Sequence, residues 1–407
     1  MIGERIQQAR KASGLSLRAL AEKAGVSAMA ISKYENNQSV PSSGVMLNIA
    51  KALHVRTEYF FRHVSVELEN VNHREHEKLP EYEELKVRAD ATDQLERWMM
   101  LEQFLPAPWS KPFELPPELP GQISDYDEIE DVAISVRKYW NLGLNPVPDL
   151  IDTLEAKGIK VFITKYDGHK NFNGLSATVN GAPVVVVGKH WTGDRQRFTL
   201  GHELGHLVLH GRLSASLDEE TACHRFAGAF IAPKDMVKAA LGERRTWLEP
   251  QELMLLKHEW GLSMQAWSYR AHNLDITSKE AHKEIWRRYL LPWKKAEREP
   301  DPQVPQEKTR LFALLAYRAL AEDMISESKA AELMGTPLSE FHACRMLNCP
   351  DTSDSDISGK QDSGGEAQDL NRKTSSPGSW VKRDARTGKL VGKKTGKPGL
   401  TKNKKQA

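Results

Sequence analysis

The run His202-Glu203-Leu204-Gly205-His206 constrains the chain more than any other, because it makes chemical sense only on a helix. Four residues apart on a helix, His202 and His206 project from one face about a turn apart, so both imidazoles can meet one Zn²⁺ at ~2.0–2.1 Å. Glu203 is rotated ~100° from His202. That offset holds its carboxylate beside an open coordination position, where it can deprotonate a metal-bound water instead of binding the metal. Phe198, Leu200, Leu204, Leu207 and Val208 recur at helical spacing in the same stretch, so one face can enter a core while the histidines face a cleft.

Two histidines leave a zinc ion short of a ligand. A third histidine six residues beyond His206 would require glycine at position 209 and histidine at 212, where Leu209 and Arg212 stand. His210 shares the helical stripe but lies ~12 Å beyond His202, which favours a supporting or structural role over ligation. Gly211 suits the helix end, so the next helix should supply the ligand. That helix opens with Asp218, Glu219 and Glu220. Acidic residues in a first turn also complement the helix dipole, so their charge alone selects none of them. Glu220 is the first choice because it shares a face with His224 and Ala227, and Glu219 is the reserve. His224 should support the ligands and not join them.

Around this helix the pattern is that of an α+β unit. Ile129, Val132, Ala133, Val136 and Trp140 mark one helix, and Asp149 to Lys157 a second that ends at Gly158. Strand-like runs follow at 159–164, 175–179 and 183–187. The last two flank Asn180-Gly181, a type I′ hairpin signal, so a small antiparallel sheet is expected. The unit is bounded at 127–293.

Residues 1–62 read differently, as short helices without strand-like alternation. A helix over 2–12 precedes Ser16, which can cap a helix from Leu17 to Ala24; Gly25 makes the turn; Ser27 caps a third from Ala28 to Asn36. This is helix-turn-helix spacing. Ile6, Leu17, Leu20, Ala21, Val26, Ile31 and Tyr34 would fill the inside, leaving Ala28, Met29, Ser32 and Lys33 facing outward beside Ser27.

The overall charge of +2 hides a strong asymmetry: residues 1–62 carry +5, residues 371–407 carry +11, and the middle carries −14. Contacts to a phosphate backbone therefore belong to the ends. Residues 63–126 read as a helical and Pro-rich connector, 305–348 as a small helical segment, and 351–407 as a disordered basic tail. No apolar run approaches the ~18 residues that span a bilayer, and no signal-peptide pattern opens the chain, so a cytoplasmic protein without membrane contact is expected. The three cysteines are odd in number and lack metal-ligand spacing, which points to reduced thiols.

Taken together, Phe172-Asn173-Gly174-Leu175-Ser176-Ala177, the stretch Arg197 to His210, and Glu220 to Ala227 running on to Pro233 resemble the ImmA/IrrE zinc metallopeptidases. Lys257 to Arg270 fits the helical C-terminal part of that family. The resemblance implies a gluzincin-like fold, His202, His206 and Glu220 as zinc ligands, Glu203 as general base, and a transcriptional repressor among the substrate types. Cys223 stands where alanine is common. Residues 3–62, through Tyr34-Glu35-Asn36-Asn37, Pro41 and Leu47 to Leu53, resemble the Cro and lambda-repressor type of helix-turn-helix, also called the XRE type. That resemblance implies duplex DNA as partner, outward residues reading the major groove, and Arg10, Arg18 and Lys33 as phosphate contacts. The resulting expectation is a DNA-binding, zinc-dependent endopeptidase acting on a regulatory protein, with a homodimer as an allowed arrangement. The alternative is a non-proteolytic regulator or antitoxin whose metallo-domain senses or binds a partner.

Overall fold

A computed structural model describes residues 2–53, 55–62, 69–73, 81–106, 112–164, 172–295, 298–348, 382–383 and 390–391. The chain divides into two units, 1–350 and 351–407. In the second, strands β5 (Lys382–Arg383) and β6 (Leu390–Val391) pair antiparallel. The remainder of the expected disordered tail lies outside the described residues.

The first unit opens with α1 (Ile2–Ala12), α2 (Leu17–Ala24), α3 (Ala28–Glu35) and α4 (Ser43–Ala52), followed by a 3₁₀ turn at Thr57–Phe61. The starts of α2 and α3 follow from serine capping: Ala19 N–H donates to Ser16 Oγ and Ala30 N–H to Ser27 Oγ, both at 3.1 Å. Gly25 ends α2 at φ 71°, the left-handed conformation that glycine adopts without steric cost. Ile6, Leu20, Ala21 and Ile31 are buried, with Leu17, Val26 and Tyr34 packed against them.

Next come β1 (Glu69–His73), α5 (Glu81–Glu102), α6 (Glu128–Tyr139), α7 (Leu150–Ala156), β2 (Lys160–Ile163), β3 (Gly174–Val179) and β4 (Ala182–Val187). The order across the sheet is β1-β3-β4-β2. Asn180 and Gly181 both have positive φ, as a type I′ hairpin between β3 and β4 requires. The sheet is nonetheless mixed and not purely antiparallel: β2 pairs with β4 in parallel, Lys160 opposite Val184 through Ile163 opposite Val187. β4 lies between β2 and β3, and having reversed direction from β3 in the hairpin, it runs with β2.

Both faces of the sheet are covered, which is why the run over 183–187 is continuously apolar. Val185 and Val187 face a core shared with α6, α7 and the helices that follow, α8 (Gly193–Leu209) and α9 (Glu219–Ile231). Val184 and Val186, with Leu175, Ala177 and Val179 of β3, face the opposite core. α10 (Lys234–Leu241), α11 (Pro250–Trp260), α12 (Met264–Asn273) and α13 (Lys279–Ile285) follow, and a π turn at Trp286–Leu290 leads into α14 (Leu291–Lys295). The last three helices are α15 (Leu311–Ala321), α16 (Glu327–Met334) and α17 (Leu338–Arg345).

The stretch read as a connector does more than connect. It supplies β1 to the sheet and α5 to its second face, where Val87, Ala91, Leu95, Trp98 and Leu101 form a buried helical stripe against β3, β4 and α15 to α17. α5 also holds the N-terminal helices: buried Arg5 of α1 donates to Glu96 at 2.6 Å and Arg62 to Asp93 at 2.5 Å. Cys223 is a free, buried thiol as expected, but Cys344 is disulfide-bonded, because an odd number of cysteines rules out complete pairing and not a single bridge. No helix among the described residues is long and apolar enough to cross a membrane.

Candidate metal centre

His202, Glu203 and His206 all lie on α8 and are all buried. α9 runs against α8 at very short range because two glycines flank the histidines. A Cβ placed on Gly201 would come within 3.3 Å of Ala227 Cα, and one on Gly205 within 3.1 Å of Cys223 Cα. Side chains at either position would push α9 away, so these glycines bring the first turn of α9 to the histidines. The orientation of α9 is fixed from its far side: Arg225 of α9 and Arg270 of α12 both donate to buried Glu130 of α6, at 2.8 Å and 2.5 Å. The N-terminal half of α8 is tied to the chain beyond α14, where buried Arg197 pairs with Glu307 and also donates to the Val147 carbonyl at 2.7 Å.

The consequence is a tight cluster. His202 Nε2 lies 3.1 Å from His206 Nε2, Glu220 Oε2 lies 3.4 Å from His202 Nε2, and Glu220 Oε1 lies 3.3 Å from His206 Nε2. Ligands bound at ~2.0–2.2 Å to a tetrahedral ion are separated by about 3.3–3.5 Å, so these three groups fit the corners of one zinc-sized site. Glu219 takes a different place. Its Oε1 sits 2.9 Å from His206 Nδ1, the nitrogen facing away from the cluster, and its side chain is 54% exposed against 14% for Glu220. A carboxylate on the outer nitrogen fixes the tautomer and ring orientation of a ligating histidine.

The electrostatics favour a cation. Burial works to lower the His206 pKa, but contacts with Cys223 and Glu220 and the charge of Glu203 outweigh it and raise it to about 11. Burial likewise works to raise Glu220, yet His202 and His206 hold it far below the usual carboxylate range. Both shifts favour positive charge within the cluster, which suits a divalent ion.

His224 lies beside the cluster, its ring 4.6 Å from that of His202 and stacked on Phe198 at 5.8 Å. His210 is exposed as the residue that caps α8, and Gly211 follows at φ 68°. Two further positions, which the sequence reading gave no role at the site, lie against it. Cys223 lies against His206, and burial pushes its thiol up. Gly174 opens β3 directly over the site: a Cβ there would stand 2.6 Å from Thr199 Cγ2 and 3.3 Å from Glu203 Oε1.

In the helix-turn-helix, Met29 is 69% exposed, Arg18, Ser27 and Lys33 are exposed, and Ser32 is half-buried. Ala28 is partly packed against the core, so it presents less outward surface than its spacing suggests. Arg10, expected to contact phosphate, is engaged within the fold. Its guanidinium donates twice to Glu35, at 2.5 Å and 2.9 Å, and once to the Leu15 carbonyl at 2.9 Å, bracing α1 to α3.

Residues 154–272 match an IrrE N-terminal-like domain. That domain is of metallopeptidase type, and the match spans β2 to α12 with the cluster near its centre. Residues 6–60 match the family described as helix-turn-helix. The chain thus combines an N-terminal helix-turn-helix with an IrrE-like domain, the architecture that the sequence resemblances imply. An uncharacterized transcriptional regulator in the ATPase CF(0) region of Rhodospirillum rubrum is similar at 42% identity over 60 residues. Those residues make up 15% of this chain and 56% of that protein.

Proposed function

We propose that the protein is a zinc-dependent endopeptidase that cuts a regulatory protein, such as a transcriptional repressor, while tethered to DNA by its N-terminal helices. The observation that carries this reading is the convergence of His202, His206 and Glu220 at 3.1–3.4 Å, with Glu203 on the same helix. His202, His206 and Glu220 would hold the metal, and the donor set of two imidazoles and one carboxylate suits zinc. When bound, the ion would supply Lewis-acid polarisation of the scissile carbonyl.

The residues of the chain do the remaining work. Glu203 takes the proton of the attacking water on its carboxylate and returns it to the departing amine nitrogen. Glu219 holds the His206 ring from its outer nitrogen, and His224 packs against His202. The start of β3, bare of a side chain at Gly174, lets backbone pass close to Glu203. At the other end, Ser27, Met29, Ser32 and Lys33 meet the major groove and Arg18 meets phosphate. Met29 and serine hydroxyls discriminate bases less than arginine or glutamine would, which favours modest sequence specificity. On this reading the DNA-binding unit is 1–62, the peptidase unit 127–293, and the setting the cytoplasm.

The test is proteomic comparison of cells expressing the wild type or Glu203→Gln. A protein fragmented only in the wild type is the substrate. Identical proteomes, with zinc bound in both proteins, would remove proteolysis from the account.

A further inference from the structure

β1 occupies an unusual position. It comes from the segment between the helix-turn-helix and α5, yet it pairs antiparallel with β3, Glu69 opposite Thr178, Asn72 opposite Ser176 and His73 opposite Leu175. The last of these pairs is one residue from Gly174, whose Cβ position lies 3.3 Å from Glu203 Oε1. A segment that pairs with the beginning of β3 therefore lies alongside Gly174, the β3 residue over Glu203.

β1 is also poorly suited to be a permanent strand. Its sequence, Glu-Asn-Val-Asn-His, contains one β-branched residue and two asparagines, which strands disfavour. Its register slips between Glu69 and Asn72, three residues of β1 spanning two of β3, so one residue is left over as a bulge and the ladder is interrupted. The β3–β4 pair, by contrast, runs without interruption from Gly174 opposite Val187 to Val179 opposite Ala182.

We infer that β1 is an internal occupant of the strand position beside Glu203, and that an extended peptide can pair with β3 there only once β1 has left. The consequence for catalysis rests on the peptidase reading; the occupancy itself does not. Main-chain pairing of this kind takes any extended sequence, so an occupant covalently tethered to the sheet competes at high effective concentration and keeps the position closed.

The test uses the full chain with Glu203→Gln, so that nothing is cut, and adds Asn72→Pro and His73→Pro together, two consecutive paired residues of which one directs its N–H at β3. A second variant replaces residues 69–73 by alternating glycine and serine. Hydrogen exchange at β3 reports release of β1, and β4 amides that stay protected show that the sheet is intact. The probe is fluorescently labelled, unfolded casein. Release should expose the β3 amides directed away from β4 and tighten casein binding by roughly tenfold or more, in proportion to the population opened. Casein should then protect the same amides again.

Exposed β3 amides without tighter binding would overturn the inference, as would β3 amides that remain protected in both variants. Weaker binding in the variants would overturn it too, since it would mean that peptides add outside β1. With Glu203 restored and zinc present, the released forms should hydrolyse casein faster than the parent. Tighter binding with no hydrolysis by any preparation would leave the occupied strand standing and remove the peptidase reading.

Discussion

Among the described residues the helix-turn-helix draws its buried apolar core from 6–60, whereas the candidate metal site rests on a sheet whose two faces are covered by helices drawn from residues 81–345. One region is built from neighbours in sequence and the other from segments that meet only after long loops close. The first can be read from local signals. The second can be read only where chemistry itself is local, as at His202, Glu203 and His206 on one helix.

The comparison is tested hardest by Glu203→Gln, a change confined to the second region. Zinc content and DNA affinity should stay at wild-type values while cleavage falls to ~1% or less, because general-base catalysis supplies about 10²- to 10⁴-fold. Metal analysis, DNA titration and cleavage of the proteomically identified substrate, all on one preparation, decide it. A matching loss of DNA binding would show that the two regions are not separable.

The pair Glu219 and Glu220 sharpens the picture inside the second region. Glu220→Gln should abolish stoichiometric zinc binding, since two histidines rarely retain the ion. Glu219→Gln should weaken zinc by about 10- to 100-fold, the usual cost of losing a partner of a ligating histidine. Competition with a fluorescent chelator measures both, and a reversed order would exchange the two roles.

A smaller effect follows from His206, whose pKa of about 11 in the metal-free site lies above its ordinary 6.5. Zinc binds only the neutral imidazole, so between pH 7 and 9 each ion should displace about one proton and bind about tenfold more tightly per pH unit. Calorimetric titration in two buffers of different ionisation enthalpy counts that proton, and a count near zero would mean the charge balance is misread. For folding without metal the sign is opposite: a raised histidine pKa stabilises fully below 6.5, and that contribution is lost as pH climbs through about 11.

The smallest effect belongs to the first region. Lys33→Ala should weaken duplex binding several-fold and make the salt dependence shallower by about 0.9 in logarithmic slope, one phosphate contact's worth. Anisotropy titrations over a range of salt measure it, and an unchanged slope would take Lys33 off the backbone.

Local regularity explains what could be read in advance. Serine caps at 16 and 27, Gly25 and the apolar spacing define α1 to α3, and the α8 motif announces its helix and the shared face of His202 and His206. Asn180-Gly181 announces the β3–β4 turn. The sequence is silent on β1, because Glu-Asn-Val-Asn-His has no strand character and is held by a partner about a hundred residues away. It is silent on the parallel pairing of β2 with β4, which follows from sheet order. Glu219 was legible only as one of three first-turn acids, because its position on His206 Nδ1 depends on how closely Gly201 and Gly205 admit α9.

The buried pair of Arg5 with Glu96 means that α1, a component of the helix-turn-helix, shares a desolvated charge contact with α5, which covers the second face of the sheet. β1 is spliced into the chain between these two clamped helices. An equilibrium between docked and released β1 would thus have both its anchors inside the same ion-paired frame. Thermodynamic linkage then runs both ways: to whatever extent duplex DNA shifts that frame and alters release of β1, release of β1 must alter the affinity for duplex DNA by the same factor.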